Sequence, residues 1–212
     1  MDNKTKIAVF VSGGGTNLQA LIDAEKSGII KSGRIEIVIS DKADAYALER
    51  AKNNGIKTAV VIKEKGRQKE FEDELSKILK DNGIQMIILA GFMCILSADF
   101  TSQWPERIIN IHPSLIPSFC GKGCYGLHVH EKALEYGVKV TGATVHFVNE
   151  IPDGGKIISQ KAVYIEDGDT PEILQKRVME QAEWILLPAA AEKGRAALWW
   201  AAWVACSPSA SI

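Results

Sequence analysis

Short apolar runs at residues 6–11, 34–39, 58–62 and 84–90 alternate with helix-length amphipathic segments at 16–26, 43–53 and 67–82, the last two closed by Gly55 and Gly83. Strands separated by helices of that length cannot pair as hairpins. They predict a parallel sheet with helices on both faces. After an apolar run at 107–111 the pattern changes. A loop punctuated by proline and glycine spans 112–126, a helix is expected at 129–136, and β-rich runs follow at 141–148 and 157–165. These add mixed or antiparallel strands to the same sheet. Pro171 opens a final helix running to about residue 191, at the position where proline costs least. The expected class is α/β, mainly parallel, with no internal repeat or low-complexity linker.

A chain of 212 residues suits a single core without staples. Its 25 basic and 26 acidic side chains nearly cancel, so no overall field attracts nucleic acid or an anionic membrane, and any anion site must be local. Four cysteines are too few for a disulfide framework at this length. The first residues carry no long apolar stretch of the secretory kind, so the expected address is cytoplasmic. The segment 189–212 differs in composition, with Trp199, Trp200 and Trp203 among alanines. Its apolar part is short of the ~20 residues of a membrane span. An altered end of the reading frame and a lipid- or partner-binding helix both account for it, and it carries no functional inference.

Two motifs carry chemistry. Ser12-Gly13-Gly14-Gly15-Thr16-Asn17 joins the first strand to the first helix, where small residues let backbone approach a ligand and free N–H groups face an anion. It is neither the nucleoside triphosphate loop nor the dinucleotide fingerprint, because no Lys-Ser/Thr pair follows and Leu18 replaces the third glycine. A merely tight turn explains it equally well in isolation. Asn110 and His112 project from one face at the end of a strand, and Asp153-Gly154-Gly155 follows some forty residues later. An amide, an imidazole and a carboxylate suit acyl transfer, in which an oxyanion needs donors and an attacking nitrogen must lose a proton. Taken singly, Asn110 and Asp153 also read as turn residues. Cys120, Cys124, His128 and His130 have a spacing that suggests zinc. Solvent-facing histidines at a helix start are the preferred reading there, no metal is expected, and His146 is expected to be a satisfied core histidine or one that supports the catalytic residues rather than a catalytic one.

The blocks 12–20, Leu89-Ala90-Gly91-Phe92-Met93, Asn110-Ile111-His112-Pro113-Ser114-Leu115-Ile116-Pro117, Tyr125-Gly126-Leu127, 142–148 and Asp153-Gly154-Gly155 together resemble the glycinamide ribonucleotide formyltransferase family over residues 5–190. The resemblance implies a Rossmann-like formyltransferase fold in one domain, 1–190, with a phosphate-binding half to about 105, a folate and catalytic half from about 106, and an atypical tail at 191–212. It implies transfer of the formyl group of 10-formyltetrahydrofolate, a co-substrate, to the amine of phosphoribosylglycinamide in purine biosynthesis. Asn110, His112 and Asp153 fall on the catalytic trio. Gly15, Thr16 and Asn17 fall on the ribose-phosphate site and Glu183 on the carboxylate that meets the acceptor amine. Met93, Cys94, Ile95, Leu96, Asn110, Asn149 and Asp153 fall on the folate site, with Arg67 a further candidate for the folate tail. Cys94 stands where arginine is common, Lys156 where proline is usual and Trp184 where histidine is usual. The partners implied are small molecules, in a monomer or homodimer. Related alternatives, both disfavoured, are a formyltetrahydrofolate deformylase-like hydrolase, whose family usually has a regulatory domain ahead of the catalytic one whereas the first strand here is expected near Lys6, and a tRNA formyltransferase, which length and charge argue against. A non-catalytic folate- or nucleotide-binding module has no need of the trio.

Overall fold

In a computed structural model, which describes residues 4–193, seven strands form one sheet in the order β3-β2-β1-β4-β5-β6-β7. The strands are β1 (Thr5–Val11), β2 (Gly33–Ser40), β3 (Lys57–Val60), β4 (Met86–Leu89), β5 (Ile108–His112), β6 (Val140–Phe147) and β7 (Ile157–Tyr164). The first five run parallel, and β6 and β7 are antiparallel to their neighbours, as the change of pattern after residue 111 anticipates. The helices are α1 (Thr16–Lys26), α2 (Tyr46–Asn53), α3 (Gln68–Asp81), α4 (Ala98–Thr101), α5 (Leu127–Tyr136) and α6 (Pro171–Val178).

The period of two along each central strand divides the core into two layers. Ile7, Val9 and Val11 of β1, with Met86, Ile88, Ile109 and Ile111, pack on the face covered by Leu18, Leu21 and Ile22 of α1, Ala47 and Leu48 of α2 and Leu174 and Val178 of α6. Ala8 and Phe10, with Ile87, Leu89 and Ile108, pack on the other face against Phe71, Leu75 and Leu79 of α3 and Phe100 of α4. Being buried on both sides explains why β1 and β4 read as unbroken apolar runs. Asn110 and His112 have the parity of Ile108, and lie where β5 runs out of the core.

Three elements differ from the sequence expectation. Helix α2 starts at Tyr46 rather than 43, because Ser40 Oγ closes a turn by bonding the N–H and C=O of Lys42 (3.0 and 2.8 Å). The short α4 was not anticipated, although Ser97 caps it through the Phe100 N–H (3.2 Å). The last helix is interrupted: after α6 the backbone widens into a π-helical turn, Met179–Glu183, before continuing as α-helix to residue 193. The tail and its tryptophans from residue 194 onward lie outside the described residues. Among those described, no helix is long and apolar enough to cross a membrane.

Candidate active site

Strand β1 leads outward to β2 and β3 on one side, whereas the chain returns through α3 to place β4 on its other side. Between the carboxyl ends of β1 and β4 successive connections therefore diverge, which opens a crevice at that end of a parallel sheet. A cavity of about 810 Å³ occupies it and extends across β5 to the loops at 121–126 and 148–153. The loops after β1 and β4 are tied together there. Ser12 N–H donates to Gly91 O (3.1 Å), and Ser12 Oγ accepts from Met93 N–H (2.8 Å).

Gly15 is the N-cap of α1 in the left-handed region (φ 73°), and no side chain caps the helix. A Cβ at Gly15 would lie 2.6 Å from Ala47 Cβ, so only glycine fits. The first-turn N–H groups of α1 are therefore left without an internal partner at the crevice mouth. Of the residues expected at a phosphate, Asn17 lines the cavity, whereas Gly15 and Thr16 do not. Asn17 Nδ2 donates to Glu183 Oε2 at 2.6 Å. The π-helical turn delivers Glu183 to that position, and burial pushes its carboxyl up to about 7 against the lowering effect of the Asn17 bond.

The trio is assembled from two segments, β5 and the loop between β6 and β7. In the antiparallel register Asn110 lies opposite His146, and His112 opposite Thr144. His146 Nδ1 faces Phe147 O (2.7 Å), which fixes that nitrogen as the donor and leaves Nε2 to accept from Asn110 Nδ2 (3.2 Å). One N–H of the Asn110 amide stays free. His112 Nε2 donates to Phe119 O (2.9 Å), and its Nδ1 lies 3.6 Å from Asp153 Oδ2. Asp153 sits at φ 55°, accepts from Gly121 N–H (2.8 Å), and has its other oxygen 3.6 Å from His146 Nε2. Gly155 holds this turn against β6, since a Cβ there would lie 1.8 Å from Phe147 O.

Electrostatics follow from burial. Desolvation lowers His112 below the ordinary imidazole range, although the Asp153 charge and the Phe119 bond pull the other way. Asp153 also pays for burial, but the His146 contact, the His112 charge and the Gly121 N–H together hold it below the usual carboxylate value. Burial thus biases His112 toward its neutral form, while the neighbours of Asp153 bias it toward the carboxylate.

The supports of this centre were not foreseen from sequence. Thr144 Oγ1 donates to Ser114 O (2.6 Å) and accepts from Ile116 N–H (3.1 Å) and Gln160 Nε2 (3.0 Å), knotting the start of the 113–126 loop to β6 and β7. Only the alternation of Thr144 and His146 along β6 signalled them. Glu72, buried on α3, takes Ser97 N–H (2.7 Å) and Ser97 Oγ (2.5 Å) and so fixes the segment bearing Met93, Ile95 and Leu96. Met93, Cys94, Ile95, Leu96 and Asn149 all line the cavity. The Cys94 thiol bonds Asp41 Oδ2 (3.2 Å), and burial, reinforced by that carboxylate, pushes it up to about 12.

Two expectations fail. Arg67 lies away from the cavity, more than half exposed, and pairs with Glu64 (2.9 Å) and Glu70 (3.5 Å) at the start of α3. His130 does not face solvent. It is 1% exposed, lines the cavity with neither ring nitrogen bonded, and is lowered to about 4 by burial and then by His112, because it lies on the inward stripe of α5 with Val129 and Ala133. His128 is exposed as expected and bonds Glu131 (2.7 Å). Among the described residues, no group of three or more His, Cys, Asp or Glu is arranged to hold a metal ion.

Comparison with known proteins accords with this architecture. A family model described as "Formyl transferase" matches residues 5–190. Over 177 residues the chain is 44% identical to phosphoribosylglycinamide formyltransferase of Haemophilus influenzae, covering 83% of this chain and 81% of that one. It is 46% identical over 189 residues to the trifunctional purine biosynthetic protein adenosine-3 of Gallus gallus. That match covers 89% of this chain and 18% of the relative, so the chain spans about a fifth of the trifunctional protein's length. The crystal structure of glycinamide ribonucleotide transformylase 1 from Symbiobacterium toebii superposes with a TM-score of 0.82 at 41% identity, covering 91% of this chain and 87% of that one. With its sheet, its crevice and nearly all of its described residues within the matched span, the chain belongs to the formyl transferase family.

Proposed function

We propose that the protein transfers the formyl group of 10-formyltetrahydrofolate to the amine of 5-phosphoribosylglycinamide, giving the N-formyl product and tetrahydrofolate in purine biosynthesis. The observation that carries the reading is one cavity with two differently equipped ends. Asn110, His112 and Asp153 stand at one end, and Asn17 with Glu183 stands at the other, beside the glycine loop. A hydrolase that uses water as acceptor needs no second end of this kind. Met93, Ile95 and Ile151 also expose apolar surface to the cavity, which suits a planar pteridine.

The free Asn110 N–H donates to the oxygen that gains charge when the acceptor nitrogen bonds the formyl carbon. The cationic nitrogen must then lose a proton. His112 Nδ1 is its open basic site, since Nε2–H is committed to Phe119 O, and a proton there is stabilised by Asp153. The same proton returns to the departing folate nitrogen as its bond to the formyl carbon breaks, so atoms and charge balance. Glu183, raised to about 7, is poised to ionise when the acceptor's amine approaches. The reaction uses small molecules, and we place it in the cytoplasm, in keeping with Cys94, Cys120 and Cys124 as free thiols.

The test offers the purified protein 10-formyltetrahydrofolate with phosphoribosylglycinamide, charged initiator tRNA or water. Formylation confined to the first is expected. Folate release at equal rate without any acceptor would establish the hydrolase instead.

A further inference from the structure

The carbonyls of the glycine loop are held from behind by helix α2. Ala47 N–H donates to Gly13 O (3.0 Å), and Arg50 Nε donates to Gly14 O (2.8 Å). In a trans peptide the C=O and N–H point in opposite directions. Each carbonyl turned toward α2 therefore turns the N–H of the following residue, Gly14 and then Gly15, away from it. The Gly15 carbonyl is taken by Gln19 N–H (2.9 Å) inside α1, which aims the Thr16 N–H outward along the helix axis. Three successive N–H groups are thereby left open, two turned away from α2 and one along the α1 axis, and such successive N–H groups can hold an oxyanion.

Arg50 is itself fixed. Its Nη1 donates to Gln19 Oε1 (3.3 Å), its guanidinium lies 5.1 Å from the Tyr46 ring centre, and its own carbonyl accepts from Asn54 Nδ2 (2.7 Å). These contacts join α1, α2 and the loop through one side chain. Gly13 and Gly14 carry no side chain of their own and would meet nothing within 4 Å if they did, so local crowding does not set their peptide planes.

We infer that Arg50 is a positioning residue for the acceptor's phosphate: by holding the Gly14 carbonyl it fixes the peptide orientation that the phosphate reads. This rests on the proposed function and identifies what sets its phosphate end. Arg50 touches neither the formyl group nor the trio, so its loss weakens binding of the phosphorylated acceptor without slowing the chemical step.

The test compares wild type, Arg50→Gln and Arg50→Lys in steady state, using phosphoribosylglycinamide and the same compound without its phosphate. Arg50→Gln should raise KM for the phosphorylated acceptor by about tenfold, the scale of one charge-assisted hydrogen bond. It should leave kcat and KM for the folate within about twofold, and leave KM for the dephosphorylated acceptor unchanged. Arg50→Lys, which still donates to a carbonyl, should recover part of the loss. Equal loss for both acceptors, a fall in kcat, or wild-type KM in Arg50→Gln would each overturn the inference. Failure of the wild-type enzyme itself to prefer the phosphorylated acceptor would overturn the functional reading along with it.

Discussion

The two halves of the crevice are built from different materials. At the β1–α1 end the groups proposed to meet the ligand are mainly peptide N–H, set by the glycine loop, a helix start and the contacts of α2 behind them. At the β5–β6 end they are side chains, and each depends on a partner distant in sequence: Asn110 on His146, His112 on Phe119 and Asp153, Asp153 on Gly121. This backbone site depends on Gly15, where only glycine fits, and on the contacts from α2 that hold its peptide planes. A side-chain site can hold and move a proton, at the cost of burying groups that must be mutually satisfied. The proposed function thus assigns binding to the first end and proton chemistry to the second.

Breaking the second end should have the largest effect. His112→Asn keeps a polar group of similar reach but no titratable nitrogen, and kcat should fall by about 10²- to 10⁴-fold. Single-turnover kinetics check this, with circular dichroism to show that the sheet persists. The knot beneath the trio should matter next. Thr144→Val retains shape but strands Ser114 O and Ile116 N–H, and should cost about 3 kcal/mol in denaturant unfolding.

A third variant sharpens the boundary between the ends. Glu183 has its folded value raised from 4.5 to about 7, so between those values the folded state holds a proton that the unfolded state releases. Stability from this group is fully present below pH 4.5 and is lost as pH rises through about 7. Glu183→Gln removes that loss while keeping an acceptor for Asn17. The variant should be more stable than wild type at pH 8 by on the order of 2 kcal/mol, with the difference vanishing near pH 4. Thermal unfolding across that range measures it, and acceptor KM should rise in the same variant.

The contrast also explains what could be read from sequence. Period-two and helical patterns marked the strands, the switch to antiparallel pairing and the spots where Asn110, His112 and Gly15 fall, because each depends on neighbours close in the chain. Asp153 stood out as the carboxylate before Gly154-Gly155, and the resemblance to known formyltransferases added Glu183. What escaped depends on distant pairing. His130 looked like an exposed helix-start residue until α5 was placed with its inward stripe on the cavity. Arg67 looked available until Glu64 and Glu70 took its guanidinium. Arg50 bears on the glycine loop from 36 residues away, and the π-helical turn that positions Glu183 leaves no mark on an amphipathic pattern.

The division of labour is tested most directly by Asp153→Asn. The amide can still accept from Gly121 N–H, so the turn is kept while the charge that stabilises a proton on His112 is removed. In steady state we expect kcat to fall by about 10²- to 10⁴-fold, with KM for phosphoribosylglycinamide and for the folate each within about threefold of wild type. A kcat within tenfold of wild type, or a loss appearing in KM instead, would contradict the assignment of proton chemistry to this end of the crevice.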